Sequence, residues 1–196
     1  MSTRTASIGR KGILEIAEDL FTQRSYQAVS IRDIAQACGV TNAALYYHFP
    51  NKESLFHEVL NQHAARLSDE MRAAGKGMSN QKARLVAMLC EYVHLASEPR
   101  SALFSFRREA KDLHIGDMHV QRKQLMLSML APIEEVFDDA IAAGTLRSPG
   151  SKNSPAALLT GMLHALMMHR SACDFDTLRE EDIKMTVDIL WKGMEI

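Results

Sequence analysis

Between Thr41 and Lys52 the chain reads TNAALYYHFPNK, a stretch rich in hydroxyl, amide and phenol side chains and free of acids. These groups make hydrogen bonds without carrying charge. Thr41, Tyr46 and Tyr47 suit phosphate oxygens, Asn42 suits a base edge, and the small Ala43 and Ala44 let a backbone come close to a bound molecule. Leu45 and Phe49, four apart, would hold the other side of a helix to a core. From spacing alone, Tyr46, Tyr47 and Phe49 also fit as core aromatics. Lys52 falls in the first turn of the next helix, where a cation opposes the helix dipole. A phosphate partner would explain it, and so would simple solvation. His48 reads as a hydrogen-bonding residue or phosphate contact rather than a metal ligand, because no second ligand stands at a useful spacing.

The elements that must position these groups follow from periodicity and punctuation. Ile13, Ala17, Leu20 and Phe21 form the stripe of a helix from about Gly9 to Gln23. Ser30, with Asp33 three residues on, caps a short helix that ends near Cys38, where Gly39 can take the left-handed conformation. Thr41 caps a third helix, Asn42 to about His48, stopped by Pro50. Two short helices separated by Gly39-Val40-Thr41 have the proportions of a helix-turn-helix, whose second helix enters the major groove. Asn51 caps a fourth helix, on which Leu55, Val59, Leu67 and Met71 keep one face apolar. Ala74 to Asn80, AGKGMSN, is the clearest linker and the expected domain boundary. Helices are expected from Gln81 to Ala96, after Pro99, from Met118 to Ala143 with a bend at Pro132, from Pro155, and from Glu180.

No segment alternates long enough for a half-buried strand, so the fold class is all-α, with about nine helices. Residues 1–54 are expected to form a three-helix domain with a helix-turn-helix and residues 55–196 a second helical domain, with a helix over 52–73 connecting the two.

The 196 residues are 46% hydrophobic and 24% charged, enough apolar material for a core and no bias toward disorder. The longest apolar run, Leu85 to Cys90, is far short of the roughly 18 residues a membrane span needs. The polar stretch Met1 to Arg10 carries no secretory signal, so the expected location is the cytosol. Cys38, Cys90 and Cys173 lack any CxxC spacing and read as reduced thiols. The formal net charge is −1, which at first speaks against nucleic acid. Position reverses that impression. Met1 to Leu14 has three cations and no acid, Leu20 to Arg32 has two and no acid, and Ile34 to Lys52 is acid-free.

The segments R10-K-G-I-L-E-I-A-E-D-L-F21 and S30-I-R-D-I-A-Q-A-C-G-V-T-N-A-A-L-Y-Y-H-F-P-N-K-E-S-L55 resemble the DNA-binding domain of the TetR family of transcriptional regulators. The L-Y-Y-H-F-x-x-K-E-x-L stretch is characteristic. The resemblance is close over about the first 60 residues and general beyond them. It implies a regulator, most often a repressor, that binds a palindromic operator as a homodimer and is released by a small-molecule effector held in the C-terminal domain. It also implies Ser30, Arg32, Thr41, Asn42, Ala43, Tyr46, Tyr47, His48 and Lys52 as DNA contacts. Many relatives carry Lys or Arg where this chain has Asn42, so a phosphate contact is absent there or replaced by a base contact.

The C-terminal half is rich in methionine, which suits a pocket for a largely apolar effector, although plain core filling explains any single one. The candidate ligand-binding residues are Met88, His94, Phe104, Arg107, Met126, Met129, His164 and Met168. The basic cluster Arg107, Arg108 and Lys111 suits an anionic effector or a solvated face. The small-residue stripe Ala157, Gly161 and Ala165, with Ile183, Val187, Leu190 and Trp191, is the expected dimer interface, packing as an isologous four-helix bundle.

Neither a cofactor nor a metal site is expected. An enzyme is disfavoured: there is no phosphate-cradling glycine loop, no GxSxG and no HExxH, and the pairs Glu134-Glu135 and Asp138-Asp139 read as a solvated face. Two alternatives keep the fold and change the role: a redox sensor acting through Cys38, and a helical interaction protein without operator control.

Overall fold

The computed structural model describes residues 8–97, 118–150, 154–172 and 178–196. Among them are eight α-helices and no strand: α1 (Arg10–Gln23), α2 (Ile31–Ala37), α3 (Asn42–His48), α4 (Lys52–Ala74), α5 (Gln81–Ser97), α6 (Met118–Ala142), α7 (Pro155–Ala172) and α8 (Glu180–Met194). An isolated bridge pairs Leu146 with Glu195. The helix expected after Pro99 lies outside the described residues. The described residues divide into two compact units, one comprising 8–64 with 118–125 and the other Ala65–Ser97 with the described residues from Met126 to Ile196. The division falls inside α4, which therefore runs through both.

In the first unit the start and stop signals act as chemistry requires. Ser30 Oγ accepts from Asp33 N–H at 3.1 Å while Ser30 N–H donates back to Asp33 Oδ2 at 2.8 Å, a reciprocal capping box. At the other end of α2, Val40 N–H reaches Ala35 O at 2.9 Å and Gly39 N–H reaches Gln36 O at 3.1 Å. This pairing satisfies carbonyls that a helix end orphans, and it needs φ of +66° at Gly39, where a side chain would be strained. Thr41 Oγ1 caps α3 by accepting from Ala44 N–H at 3.2 Å, and Asn51 Oδ1 caps α4 by accepting from Ser54 N–H at 2.7 Å. The core gathers Ile13, Leu14, Ala17 and Phe21 of α1, Ile34 and Ala35 of α2, Leu45 of α3, and Leu55, Phe56, Val59 and Leu60 of α4. Phe21, Tyr26 and Phe56 close it as an aromatic cluster, with Phe56 centroids 4.9 Å from Phe21 and 4.7 Å from Tyr26.

In the second unit α8 packs on α5 and α7. The core joins Leu67 and Met71 of α4, Leu85, Met88 and Leu89 of α5, Ile133, Val136 and Phe137 of α6, Leu159 and Leu163 of α7, and Ile183, Val187 and Trp191 of α8. Two expectations change here. The AGKGMSN segment does not mark the division between units: it is the turn joining α4 to α5 inside this one. It is so tight that a Cβ on Gly75 would lie 2.9 Å from both Arg84 Cγ and Met88 Cγ. The acidic pairs on α6 are not merely solvated, since Glu135 binds Arg72 of α4 at 2.7 Å, Asp139 binds Arg84 of α5 at 3.3 Å, and Glu134 meets the Ser154 hydroxyl. Arg72 accordingly holds the Glu135 carboxyl below its ordinary range, whereas burial raises that of Glu134. As the sequence reading expects, α6 is one helix through Pro132, which has no N–H for the Ser128 carbonyl four residues earlier. Ser68 Oγ of α4 donates to that carbonyl at 3.0 Å, so a buried serine compensates the proline.

Candidate nucleic-acid interface

The short helix α3 is held by little and exposes much. Leu45 is fully buried and Phe49, just past its end, is 1% exposed; together they fix the helix to the core. Thr41, Asn42, Ala43, Ala44, Tyr46 and Tyr47 are all exposed, Tyr47 at 86%. Tyr46 and Tyr47 are therefore not core aromatics. His48 is half-buried, its ring 5.2 Å from that of Tyr47 and 6.4 Å from that of Phe49. The α2 helix contacts both α1 and α3, and it leaves Arg32 and Gln36 exposed. The result is an uncharged polar ridge on α3 beside an exposed guanidinium on α2.

Not every residue singled out in the sequence is available to DNA in the way its type suggests. Ser30 has both donors engaged by Asp33: its N–H at 2.8 Å and its hydroxyl at 2.7 Å. These bonds hold the Asp33 carboxyl below its ordinary range, and Ser30 serves as the cap of α2 rather than as a ready phosphate donor. Thr41 differs, because its cap only accepts, leaving the hydroxyl proton able to donate.

Lys52 has partners within the chain itself. Its ammonium donates to Tyr26 O at 2.8 Å and to Val29 O at 2.9 Å, and lies 4.1 Å from the Tyr26 ring centroid. These contacts explain a cation in the first turn of α4 without a phosphate: two carbonyls and a ring face supply the negative field. Lys52 thus ties the loop preceding α2 to the start of α4. No spacing rule could have shown this, since the partners are backbone atoms more than twenty positions away. Replacing Lys52 by Met is expected to weaken specific DNA binding while leaving the slope of log K against log salt unchanged. A slope reduced by about one unit would instead return Lys52 to a phosphate.

The acid-free N-terminal stretch also changes on folding. Arg10 forms a bidentate ion pair with Glu58 of α4, and its guanidinium carbon lies 4.8 Å from the Phe49 ring centroid. Much of its charge is thereby compensated, whereas Lys11 is highly exposed and only 3.9 Å-paired with Glu15. Cys38 is half-buried, and burial alone pushes its thiol above the ordinary value. That is the opposite of the thiolate a redox sensor needs. His57 of α4 has a buried, unbonded Nε2, and burial lowers its pKa despite nearby Glu53. Among the described residues no three His, Cys, Asp or Glu gather as a metal would require, and no helix is long and apolar enough to cross a membrane.

The candidate ligand-binding residues that the structure describes differ in burial. Met88 is fully enclosed in the core, His94 and Met168 are exposed, and Met129 and His164 are half-buried. Phe104, Arg107 and the side chain of Met126 lie outside the described residues. The dimer-interface expectation divides. Ala157, Gly161 and Ala165 of α7 are exposed, and a Cβ built on Gly161 meets nothing within 4 Å. Ile183, Val187 and Trp191 are instead buried within the chain itself, and Leu190 is half-buried. The apolar side chains that α8 leaves outside are Met185 and Ile189, at 54% and 57% exposure.

Known proteins share this arrangement. The family model for bacterial regulatory proteins of the TetR family matches residues 13–59, which span most of α1 through the first turns of α4. The transcriptional repressor KstR2 of Rhodococcus jostii is 27% identical over 62% of this chain and 63% of its own length, so the chain spans just under two thirds of that relative. The transcriptional regulator RutR of Escherichia coli K12 is 34% identical over 74% of this chain and 66% of its own. The solved structure of the fatty acid degradation regulator FadR from Bacillus halodurans superposes with a TM-score of 0.74 at 16% identity, covering 95% of this chain and 100% of that one. The fold therefore extends beyond the matched segment. With its capped helix-turn-helix and exposed α3 ridge, the chain belongs to the TetR family of bacterial regulatory proteins.

Proposed function

We propose that this protein is a ligand-responsive transcriptional repressor that binds a palindromic operator as a homodimer and is released by a small-molecule effector. The observation that carries this reading is α3, fixed by the buried Leu45 and Phe49 while five of its neighbours, Asn42, Ala43, Ala44, Tyr46 and Tyr47, face outward without charge. A helix so presented can enter a major groove, with Thr41, the tyrosines and Arg32 on phosphates. Named relatives that act as transcriptional repressors or regulators support the same reading.

One α3 spans too few base pairs for a specific site, and a two-fold dimer places two in successive major grooves, roughly 34 Å apart. The exposed stripe of α7 and the Met185 and Ile189 pair of α8 supply a surface for the second copy. Small residues on α7 allow close approach, and the apolar pair gains by leaving water. Since α4 runs through both units, it provides a continuous covalent route by which an event in the second reaches the first. A tenfold loss of operator affinity on effector binding requires about 1.4 kcal/mol of difference in effector affinity between the two states.

Fluorescence anisotropy on DNA from around the protein's own promoter tests the proposal. Tight, salt-dependent binding is expected, stronger than for a random duplex of equal length. Equal affinity for both at about 150 mM salt would sink it.

A further inference from the structure

The side chains that α3 offers to a groove are selective in what they omit. Guanine is read in the major groove by the bidentate donors of Arg or Lys, and cytosine by the carboxylate of Asp or Glu. The residues Asn42–His48 contain none of the four, and His48 is half-buried between the rings of Tyr47 and Phe49. What remains outward is one amide, two methyl groups and two phenols. An amide matches adenine, accepting from N6 and donating to N7 at once, and methyl groups match the C5-methyl of thymine.

Asn42 also stands where its presence needs a reason. Asparagine is a good N-cap, but the cap of α3 is Thr41, whose hydroxyl takes the Ala44 N–H at 3.2 Å. One position further on, in the first turn, asparagine is a poorer helix former than alanine. Asn42 is exposed, so it contributes nothing to the core in return. Its position in the first turn of the recognition helix is where side chains reach base edges.

We propose that α3 reads A·T base pairs, with the Asn42 amide bidentate on an adenine and the Ala43 and Ala44 methyls against thymine methyls. This rests on the operator-binding reading above and adds the base identity. The test is selection of binding sites from a randomised duplex library with the full-length protein, alongside Asn42→Ala and Asn42→Gln. The wild type is expected to enrich half-sites with adenine at one fixed position. Asn42→Ala should lose roughly 5- to 150-fold of discrimination at that position alone, and Asn42→Gln should keep the preference for adenine. Replacing thymine by deoxyuridine in the selected site should weaken binding by roughly fourfold, the value of one buried methyl. A G·C pair at the position that responds to Asn42, or a preference unchanged in Asn42→Ala, overturns the base assignment while leaving operator binding intact. Failure of the wild type to enrich any sequence overturns operator binding, and this inference with it.

Discussion

Phe49→Ala is expected to destabilise the protein by about 3 to 5 kcal/mol, whereas Tyr47→Ala, two positions away, should change stability by under about 0.5 kcal/mol. The difference comes from burial: Phe49 is 1% exposed and Tyr47 86%. Removing the Phe49 ring leaves a cavity beneath the end of α3 and deprives Arg10 of the ring face it covers. Leu45 alone would then hold the helix. Tyr47→Ala removes nothing from the core, so its melting curve should superpose on that of the wild type while operator affinity falls. Thermal denaturation and anisotropy on the two variants separate these effects. A Tyr47→Ala protein that melts early would show that the tyrosine supports the fold rather than faces DNA.

Gly161→Leu should convert the proposed dimer to a monomer and abolish specific operator binding without harming the protomer. Nothing lies within 4 Å of a Cβ at this position, and leucine is a better helix former than glycine by roughly 0.8 kcal/mol. The protomer therefore tolerates the side chain. A second copy approaching along Ala157, Gly161 and Ala165 does not. Ile189→Asp should act in the same direction by placing a carboxylate in the apolar contact. Sedimentation velocity gives the oligomeric state, and anisotropy gives the coupled loss of affinity, expected at 100-fold or more, on the order of 2.8 kcal/mol. Both variants remaining dimeric would remove α7 and α8 from the interface.

The helices and their ends were legible because their causes are local. Ser30 with Asp33, Thr41 with Ala44 and Asn51 with Ser54 are bonds across three residues, and the αL turn at Gly39 depends on one glycine. So is the division of α3 into anchor and ridge, since a helix places residues four apart on one face. The candidate DNA-facing residues were readable to the same degree, down to the exposure of Thr41, Asn42, Ala43, Tyr46 and Tyr47. Effector residues have no such local signature. Methionine spacing states that a face is apolar, and it cannot distinguish a packed core such as that around Met88 from a cavity.

Sequence alone, then, determined an all-α chain with a helix-turn-helix and a polar, uncharged recognition helix. Periodicity, caps and turn residues act over a few positions and need no knowledge of what packs against them. Only the tertiary structure decided which apolar side of α8 is interior. Ile183, Val187 and Trp191 turn inward on α5 and α7, and Met185 and Ile189 are left outside, a choice that depends on neighbours far away in the chain. It also decided that Lys52 holds two loop carbonyls, that Arg10 meets Glu58, and that Ser68 completes the carbonyl Pro132 leaves open. Each of these is a polar group satisfied at long range, and burial demands such a partner without a one-dimensional pattern specifying which residue provides it.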